Sequence, residues 1–188
     1  MYNRRYTIFR KIYNRNIIFF KNIFDVVTLV NELFQFKFKQ AANTTGRVAL
    51  NTTVGVLGLF DVHSKAGGTR TKEDFGQTLG YYGFNSGAYL VLPIFGPSST
   101  RDGIGLATDA LFFNPIGYIN DDPARWALIG AAIIDKRAQL MDDIDIRDKS
   151  FDPYAYMRDS YMQNRENLVK DGVEDPSGVK PYTMPLGN

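Results

Sequence analysis

The feature that most constrains this chain is an uncharged run of 26 residues from Phe75 to Thr100, FGQTLGYYGFNSGAYLVLPIFGPSST. Five glycines and two prolines interrupt it. A helix that crosses a bilayer needs about 20 continuous apolar residues, so the run has the length of such a helix but not its continuity. A solvated loop of this length would carry charged side chains. The run therefore needs an environment that neither a membrane helix nor an ordinary loop provides.

Charge is distributed unevenly along the chain. Residues 1–47 carry nine Lys or Arg and two Asp or Glu, whereas residues 121–175 carry eight basic and thirteen acidic residues. The part between them is rich in glycine and mostly uncharged. Because the net charge of the 188 residues is only +2, no global field points to nucleic acid as a partner. The absence of cysteine excludes disulfides and thiolate chemistry.

The first 24 residues repeat aromatic and apolar side chains at helical spacing. Six Lys or Arg lie among them, and no acid precedes Asp25. A basic helix with an aromatic stripe suits a membrane interface, but a core-facing helix with solvated basic residues has the same pattern. The segment alone leaves both interpretations open. The stripe consists of Tyr2, Tyr6, Phe9, Tyr13, Ile17, Phe20 and Phe24.

Helical patterns continue beyond this segment. We interpret Asp25 as the N-cap of a second helix that ends near Phe36. A third helix is predicted over residues 39–54, where small polar side chains would let neighbouring helices approach closely. Only residues 89–92 show an extended pattern. The predicted fold class is therefore mainly α.

Capping residues predict three more helices in the second half of the chain. Ser98 or Ser99 can cap a helix over residues 101–111. Asp122 and Asp152, each followed by proline, predict the starts of helices that end near residues 147 and 172.

No residue pattern indicates an enzyme. His63 is the only histidine, and we interpret it as a polar loop residue although Asp61 and Ser64 lie beside it. A hydrolase triad needs its members to converge in space, and no G-x-S-x-G motif is present. The acidic run over residues 141–148 lacks the spacing of a calcium loop and is interpreted as a solvated helix face. We expect no catalytic residue, metal or cofactor.

Four stretches together resemble one family, the MlaA (VacJ) phospholipid-transport lipoproteins of Gram-negative outer membranes. The stretches are FFKNIFDVVTLVNELFQ (Phe19–Gln35), RVALNTTVGVLGLFDVHSKAG (Arg47–Gly67), EDFGQTLGYYGFNSGAYLVLPIFGPSSTRDGIG (Glu73–Gly105) and DPYAYMRDSYMQNR (Asp152–Arg165). The resemblance implies a ring-like bundle of amphipathic helices, with the Gly/Pro-rich apolar segment as its irregular part. We expect one such domain over residues 1–172 and an irregular tail over residues 173–188.

The resemblance also implies a function without covalent chemistry. Phospholipids would leave the outer leaflet of the outer membrane through an amphipathic channel beside a trimeric porin. A soluble periplasmic carrier would then receive them on the periplasmic side of the membrane. Two rivals stay open, namely a porin-bound adaptor without a lipid path and a lipid esterase that uses His63 and Ser64.

The same resemblance suggests two groups of residues. An uncharged, glycine-broken segment can lie at membrane depth if protein neighbours satisfy its backbone. The expected lipid path consists of Leu90, Val91, Leu92, Ile94 and Phe95, with Tyr81 and Tyr89 at the interface between lipid and water; the alternative is an ordinary buried core. Structural hydrogen bonds, rather than headgroup contacts, are expected of Arg47, Asn51, Asp61, Gln77, Arg101 and Asp102.

The chain departs from the family pattern in two places. Family members begin with a signal peptide and a lipid-bearing cysteine, and we expect this chain to lack the family's N-terminal part. Phe36 stands where the family has glycine, and Phe34 stands in place of a leucine.

Overall fold

The computed structural model describes residues 2–142 and 152–171, with side chains from residue 18 to 137 and from 152 to 171. These parts of the chain are mainly helical, as predicted, and contain one two-stranded antiparallel sheet. In chain order the elements are α1 (Tyr2–Phe34), α2 (Phe38–Thr53), the short α3 (Val62–Lys65), α4 (Phe75–Tyr81), β1 (Tyr89–Leu92), β2 (Gly96–Ser99), α5 (Thr100–Thr108), a π-helix (Asp109–Phe113), a 3₁₀-helix (Pro115–Tyr118), α6 (Asp122–Asp142) and α7 (Pro153–Val169).

Helix α1 is continuous over 33 residues, so the predicted helix start at Asp25 is wrong. No glycine or proline interrupts this stretch. The Asp25 carboxylate is buried and contacts two arginines from other segments instead of capping its own helix. Arg70 Nη2 donates to Asp25 Oδ1 at 2.9 Å, and Arg47 Nη2 lies 2.9 Å from the same oxygen.

The turn between α1 and α2 ends the first helix by the usual hydrogen bonds but with an unusual residue. The amide of Lys37 donates to the Glu32 carbonyl and the amide of Phe36 donates to the Leu33 carbonyl, which is the Schellman pattern. Phe36 occupies the left-handed position with φ of 58°, where glycine is preferred. Its side chain is 66% exposed. Helix α2 then follows within one residue of its predicted bounds.

The interior of the molecule is polar. Among the side chains that the structure describes, four hydrophobic residues are buried, whereas nineteen polar or charged residues are buried. Soluble domains show the opposite preference. Helix α1 turns its polar face inward and exposes Leu33 and Phe34. The buried polar face of α1 consists of Asn22, Asp25, Thr28, Asn31 and Glu32, and Gln35 continues it just after the helix.

The uncharged run is more regular than the sequence suggested. It forms α4, a turn and the β1–β2 hairpin, in which Tyr89 pairs with Ser99 and Leu92 pairs with Gly96. The extended pattern over residues 89–92 is confirmed as a strand. Glycine is needed where α4 crosses α5, because a Cβ on Gly105 would lie 2.2 Å from the backbone nitrogen of Gly76.

The caps of the later helices follow the predictions with one shift. Ser99 caps α5 and Asp152 caps α7, as expected. At α6 the acceptor is Asp121, whose Oδ1 accepts from the amide of Ala124 at 2.9 Å, so Asp122 is not the cap. The helix predicted over residues 101–111 becomes a π-helix at Asp109.

Four expectations concern parts of the chain that the structure does not describe. The end of α6 near residue 147, residues 143–148 of the acidic run and the tail over residues 173–188 lie outside the described residues, as do most side chains of the N-terminal aromatic stripe. Helix α7 ends at Val169, three residues before the predicted stop. Within the described part of the chain, no helix combines the length and hydropathy that crossing a membrane requires.

Candidate functional site

One buried polar cluster joins α7 to the start of α4 and to α5. Arg165 donates to both oxygens of Asp74 at 2.7 and 2.8 Å and to both oxygens of Asp102 at 3.1 and 2.8 Å. Arg101 also donates to Asp102, at 3.0 Å from two nitrogens, and Tyr161 donates to it at 2.7 Å. Burial alone would raise the pKa of Asp74 and of Asp102, but the charge and hydrogen bonds of Arg165 outweigh it and lower both values.

A second cluster lies between α1, α4 and the π-helix. Asn31 donates to Asp109 Oδ1 at 3.0 Å, and the amide of Phe75 donates to Asp109 Oδ2 at 2.9 Å. Thr78 donates to Asn31 at 2.8 Å. Burial raises the pKa of Asp109 to about 6 in spite of these two hydrogen bonds. Asp109 is therefore a carboxyl group whose charge costs the folded state free energy.

A third cluster lies between α1, α2 and the segment that follows α2. Its centre is the contact of Asp25 with Arg47 and Arg70. Burial raises the pKa of Asp25 and lowers that of Arg47, because desolvation outweighs their mutual attraction. A cavity of about 20 Å³ adjoins this contact and is lined by Ile18, Lys21, Asn22, Asp25, Arg47, Asn51, Asp61 and Arg70.

The residues expected to form structural hydrogen bonds fall into two of these clusters. Arg47, Asn51 and Asp61 lie in the third cluster, where Asn51 donates to Asp61 at 3.2 Å and accepts from the amides of Val62 and His63. Contrary to the expectation, Arg47 has an ion-pair contact with Asp25 but no hydrogen bond among the described residues. The other three lie in the first cluster. There Gln77 donates to Asp74 Oδ2 at 3.2 Å, and Arg101 pairs with Asp102.

Sequence reasoning missed several members of these clusters. Asp25 was interpreted as a cap, and Asp74, Asp109 and Arg165 were not singled out. One signal was available on α1, where the polar residues recur every three or four positions. Periodicity assigns such residues to one face but does not tell whether that face is buried.

The residues expected on the lipid path lie on the hairpin and at the end of α4. Leu90, Val91, Ile94 and Phe95 are exposed, and Leu92 is half-buried. These five residues belong to the hairpin or its turn, where Ile94 has a φ of 72°. The hairpin thus presents apolar side chains outward, and an ordinary buried core is not what surrounds them.

The two tyrosines of that group lie on opposite sides of the 82–88 turn. Tyr81 is exposed and packs edge to face on Tyr82, with ring centroids 5.4 Å apart. Tyr89 is half-buried and contacts the rings of Tyr154 and Tyr161 on α7, at 5.7 and 6.0 Å. Tyr89 therefore attaches the hairpin to α7.

Exposed apolar side chains extend beyond the hairpin. Val56 and Leu57, in the loop after α2, are exposed. Both also have positive φ values, of 52° and 55°. Such backbone costs free energy in residues other than glycine. Further exposed large hydrophobic residues are Phe36, Phe38, Val54, Phe84, Ile104, Leu111, Phe112, Tyr118, Trp126 and Ile134.

The interpretation of His63 as a polar loop residue is wrong. His63 lies in α3, is buried, and packs so closely against Gly68 that a Cβ there would lie 2.0 Å from its Cε1. Its Nδ1 has no hydrogen-bond partner among the described residues. The Asp61 carboxylate accepts from the backbone amide of Ser64 and not from the His63 ring. The ring thus lacks the orienting hydrogen bond of a hydrolase triad.

Comparisons with known proteins point to one family. A family model described as MlaA lipoprotein matches residues 5–168. The chain is 34% identical over 153 residues to an uncharacterized protein of Rickettsia prowazekii, covering 81% of this chain and 61% of the relative. It is 32% identical over 155 residues to the intermembrane phospholipid transport system lipoprotein MlaA of Haemophilus influenzae, covering 80% of this chain and 61% of the relative.

The fold comparison points the same way. A solved structure that addresses the "structural basis for maintenance of bacterial outer membrane lipid asymmetry" matches with a TM-score of 0.68 and 28% identity. The match covers 85% of this chain and 81% of that one. The chain spans about three fifths of the length of the curated relatives that it matches.

Proposed function

This chain belongs to the MlaA lipoprotein family, and we propose that it moves phospholipids out of the outer leaflet of the outer membrane without covalent chemistry. Phospholipids would pass along an amphipathic path and be delivered to a soluble carrier in the periplasm. The proposal rests on the names of the relatives, on the fold, and on one physical observation. That observation is the inverted arrangement of the side chains, polar inside and apolar outside.

The inversion has a simple energetic meaning. Each large apolar side chain left in water forgoes about 1.5–3 kcal/mol that burial would yield. The exposed apolar residues on the hairpin, the loop after α2 and α6 would together be unfavourable in water. In a bilayer the same side chains lie in hydrocarbon, and the ion pairs and amides turn inward.

A phospholipid needs a polar route for its headgroup and an apolar route for its acyl chains. The hairpin residues Leu90, Val91, Ile94 and Phe95 supply an apolar surface, and the inward polar faces of α1 and α2 supply polar groups. We propose that the acyl chains contact the hairpin and that Tyr81 and Tyr89 lie at the level of the headgroups. A trimeric porin and a periplasmic carrier are the proposed partners, and the periplasmic side of the outer membrane is the proposed location.

The direct test is phospholipid transfer by the full chain. Fluorescent phospholipid would be placed in donor vesicles that contain the protein, and its appearance on an acceptor carrier would be followed. Val91→Asp puts a charge at a position whose side chain is proposed to reach the acyl chains, and it should weaken lipid association, because a charged side chain in contact with hydrocarbon is costly. Gln163→Asp adds the same charge at an exposed polar position on α7 and should change nothing.

One observation favours the porin-bound adaptor as the second candidate. Buried side chains fill the interior clusters, and the cavity beside Arg47 has a volume of only about 20 Å³. An adaptor would bind a porin trimer but give no transfer above protein-free vesicles. That result, in preparations where porin binding is intact, would replace the transport proposal with the adaptor.

A further inference from the structure

The cavity beside Arg47 adjoins a buried guanidinium that has an ion-pair contact but no hydrogen bond among the described residues. Arg47 is 1% exposed, yet none of its three guanidinium nitrogens has a hydrogen-bond partner. Its Nη2 lies 2.9 Å from Asp25 Oδ1, but the contact is not aligned along an N–H bond. A buried donor without a partner is costly, and Arg carries five N–H groups. The cavity is where the missing acceptor would lie.

The charges around the cavity define the acceptor that fits. Arg47 lies at the base, while Lys21 is exposed and Arg70 is 21% exposed at the rim. Two carboxylates, Asp25 and Asp61, line the cavity with these three cations, and Glu32 acts on Arg47 from outside the lining. A ligand with at most one negative charge therefore suits the site. The planar guanidinium group matches the geometry of phosphate and carboxylate oxygens.

We propose that this cavity binds a phosphate group and that, in the proposed transport function on which this inference rests, the phosphate is that of a phospholipid headgroup. A volume of about 20 Å³ admits one or two groups of the size of a water oxygen. One phosphate oxygen therefore enters toward Arg47, and the rest of the phosphate lies between Lys21 and Arg70 at the rim. Asn22 Oδ1, which has no hydrogen-bond partner, supplies an acceptor for a headgroup ammonium or a water.

The two carboxylates make binding weak, which suits a site on a transport path. Asp25 already shares Oδ1 with both arginines, and Asp61 repels an incoming anion. A site that ligands must leave again needs affinity enough to admit them but not to hold them. We therefore expect occupancy to be transient.

The test measures the binding of two probes without acyl chains to the full-length polypeptide. The protein is kept in a phosphate-free maltoside detergent, and ³¹P NMR follows the binding. The probes are inorganic phosphate and glycerophosphoethanolamine, a phosphodiester headgroup without acyl chains. Both should bind and compete for one site. Arg70→Gln should weaken both about tenfold, as expected for the loss of a charged hydrogen-bond donor. Lys39→Gln removes an exposed lysine from α2 and should leave both affinities unchanged.

Each outcome decides the matter. If Arg70→Gln binds both probes as the unaltered chain does, the site is overturned, and Arg47→Gln provides a second check wherever that variant folds. If inorganic phosphate binds and the diester does not, the headgroup assignment is overturned. Lipid transfer by a chain that binds neither probe would overturn this site and leave the proposed function standing. Probe binding that Arg70→Gln abolishes, without any transfer, would support the site and remove the transport function.

Discussion

Arg165→Met tests the claim that a buried ion cluster, and not an apolar core, holds α7 against α4 and α5. The substitution keeps an unbranched side chain of similar length but removes the four hydrogen bonds to Asp74 and Asp102. Removing one partner from a buried ion pair costs about 3–5 kcal/mol, because the remaining charge is left without compensation. Two features of the cluster reduce that figure. Asp102 keeps its contact with Arg101, and the Asp74 side chain is partly exposed.

We therefore expect Arg165→Met to lower the free energy of unfolding by about 3 kcal/mol. Unfolding by urea in a mild non-ionic detergent, followed by circular dichroism, would measure it as a lower midpoint with an unchanged slope. Arg158→Met on the same helix is the matched control. Arg158 is 46% exposed, forms an ion pair with its neighbour Asp159 and lies over the ring of Tyr154, so its loss should leave the free energy of unfolding nearly unchanged. Equal losses from the two variants would refute the reasoning.

Three further predictions concern other parts of the fold. The pKa of Asp109 is raised to about 6, so the free energy of unfolding should fall as pH rises from about 4 to 6. In urea midpoints measured over this pH range, Asp109→Asn should reduce the fall. An unchanged fall in the variant would assign the pH dependence to other carboxyl groups. Phe36→Gly should be more stable than Phe36→Ala by about 1 kcal/mol, because both remove the ring but only glycine relieves the left-handed backbone; the reverse order in thermal melts would contradict this. Gly105→Ala should destabilise the fold by about 2 kcal/mol or more, because the new Cβ meets the backbone of α4. Gly46→Ala, in open space on α2, should stabilise the fold by up to about 1 kcal/mol. Similar shifts in melting temperature for both variants would show that α4 and α5 can move apart to accommodate the Cβ.

The local features of the fold could be predicted from the sequence. Ser99 and Asp152 cap their helices because a cap depends on backbone amides two or three residues away. The cap prediction for Asp25 is wrong because its partners are far away in the sequence. Its partners are 22 and 45 residues distant, and a carboxylate that suits a cap also suits a buried arginine. Capping rules, which consider only neighbouring residues, cannot identify such distant partners.

The direction of burial could not be predicted from the pattern. On α1 the sequence separates an apolar face from a polar one, and the usual assumption buries the apolar face. Here Asn31, Glu32 and Gln35 are inside, and Leu33 and Phe34 are outside. In the proposed membrane location the surroundings of the protein explain the difference, because apolar surroundings reverse which face gains free energy by turning inward. Only the nearly uncharged outer surface of α2 and the hairpin hinted at such surroundings.

The hairpin also limits how deep the uncharged run can lie. A two-stranded sheet has two open edges, and each edge leaves backbone amides and carbonyls without ladder partners. In hydrocarbon each such group costs several kcal/mol, so an open hairpin cannot stand in the centre of a bilayer. Near its base the chain finds partners, since the amides of Thr100 and Arg101 donate to the carbonyls of Ala88 and Ser86. We therefore expect the strands to lie at the level of the headgroups, with only the side chains of Val91, Ile94 and Phe95 reaching into the acyl chains. Spin labels at position 91 that proved as deep as the bilayer centre would contradict this placement.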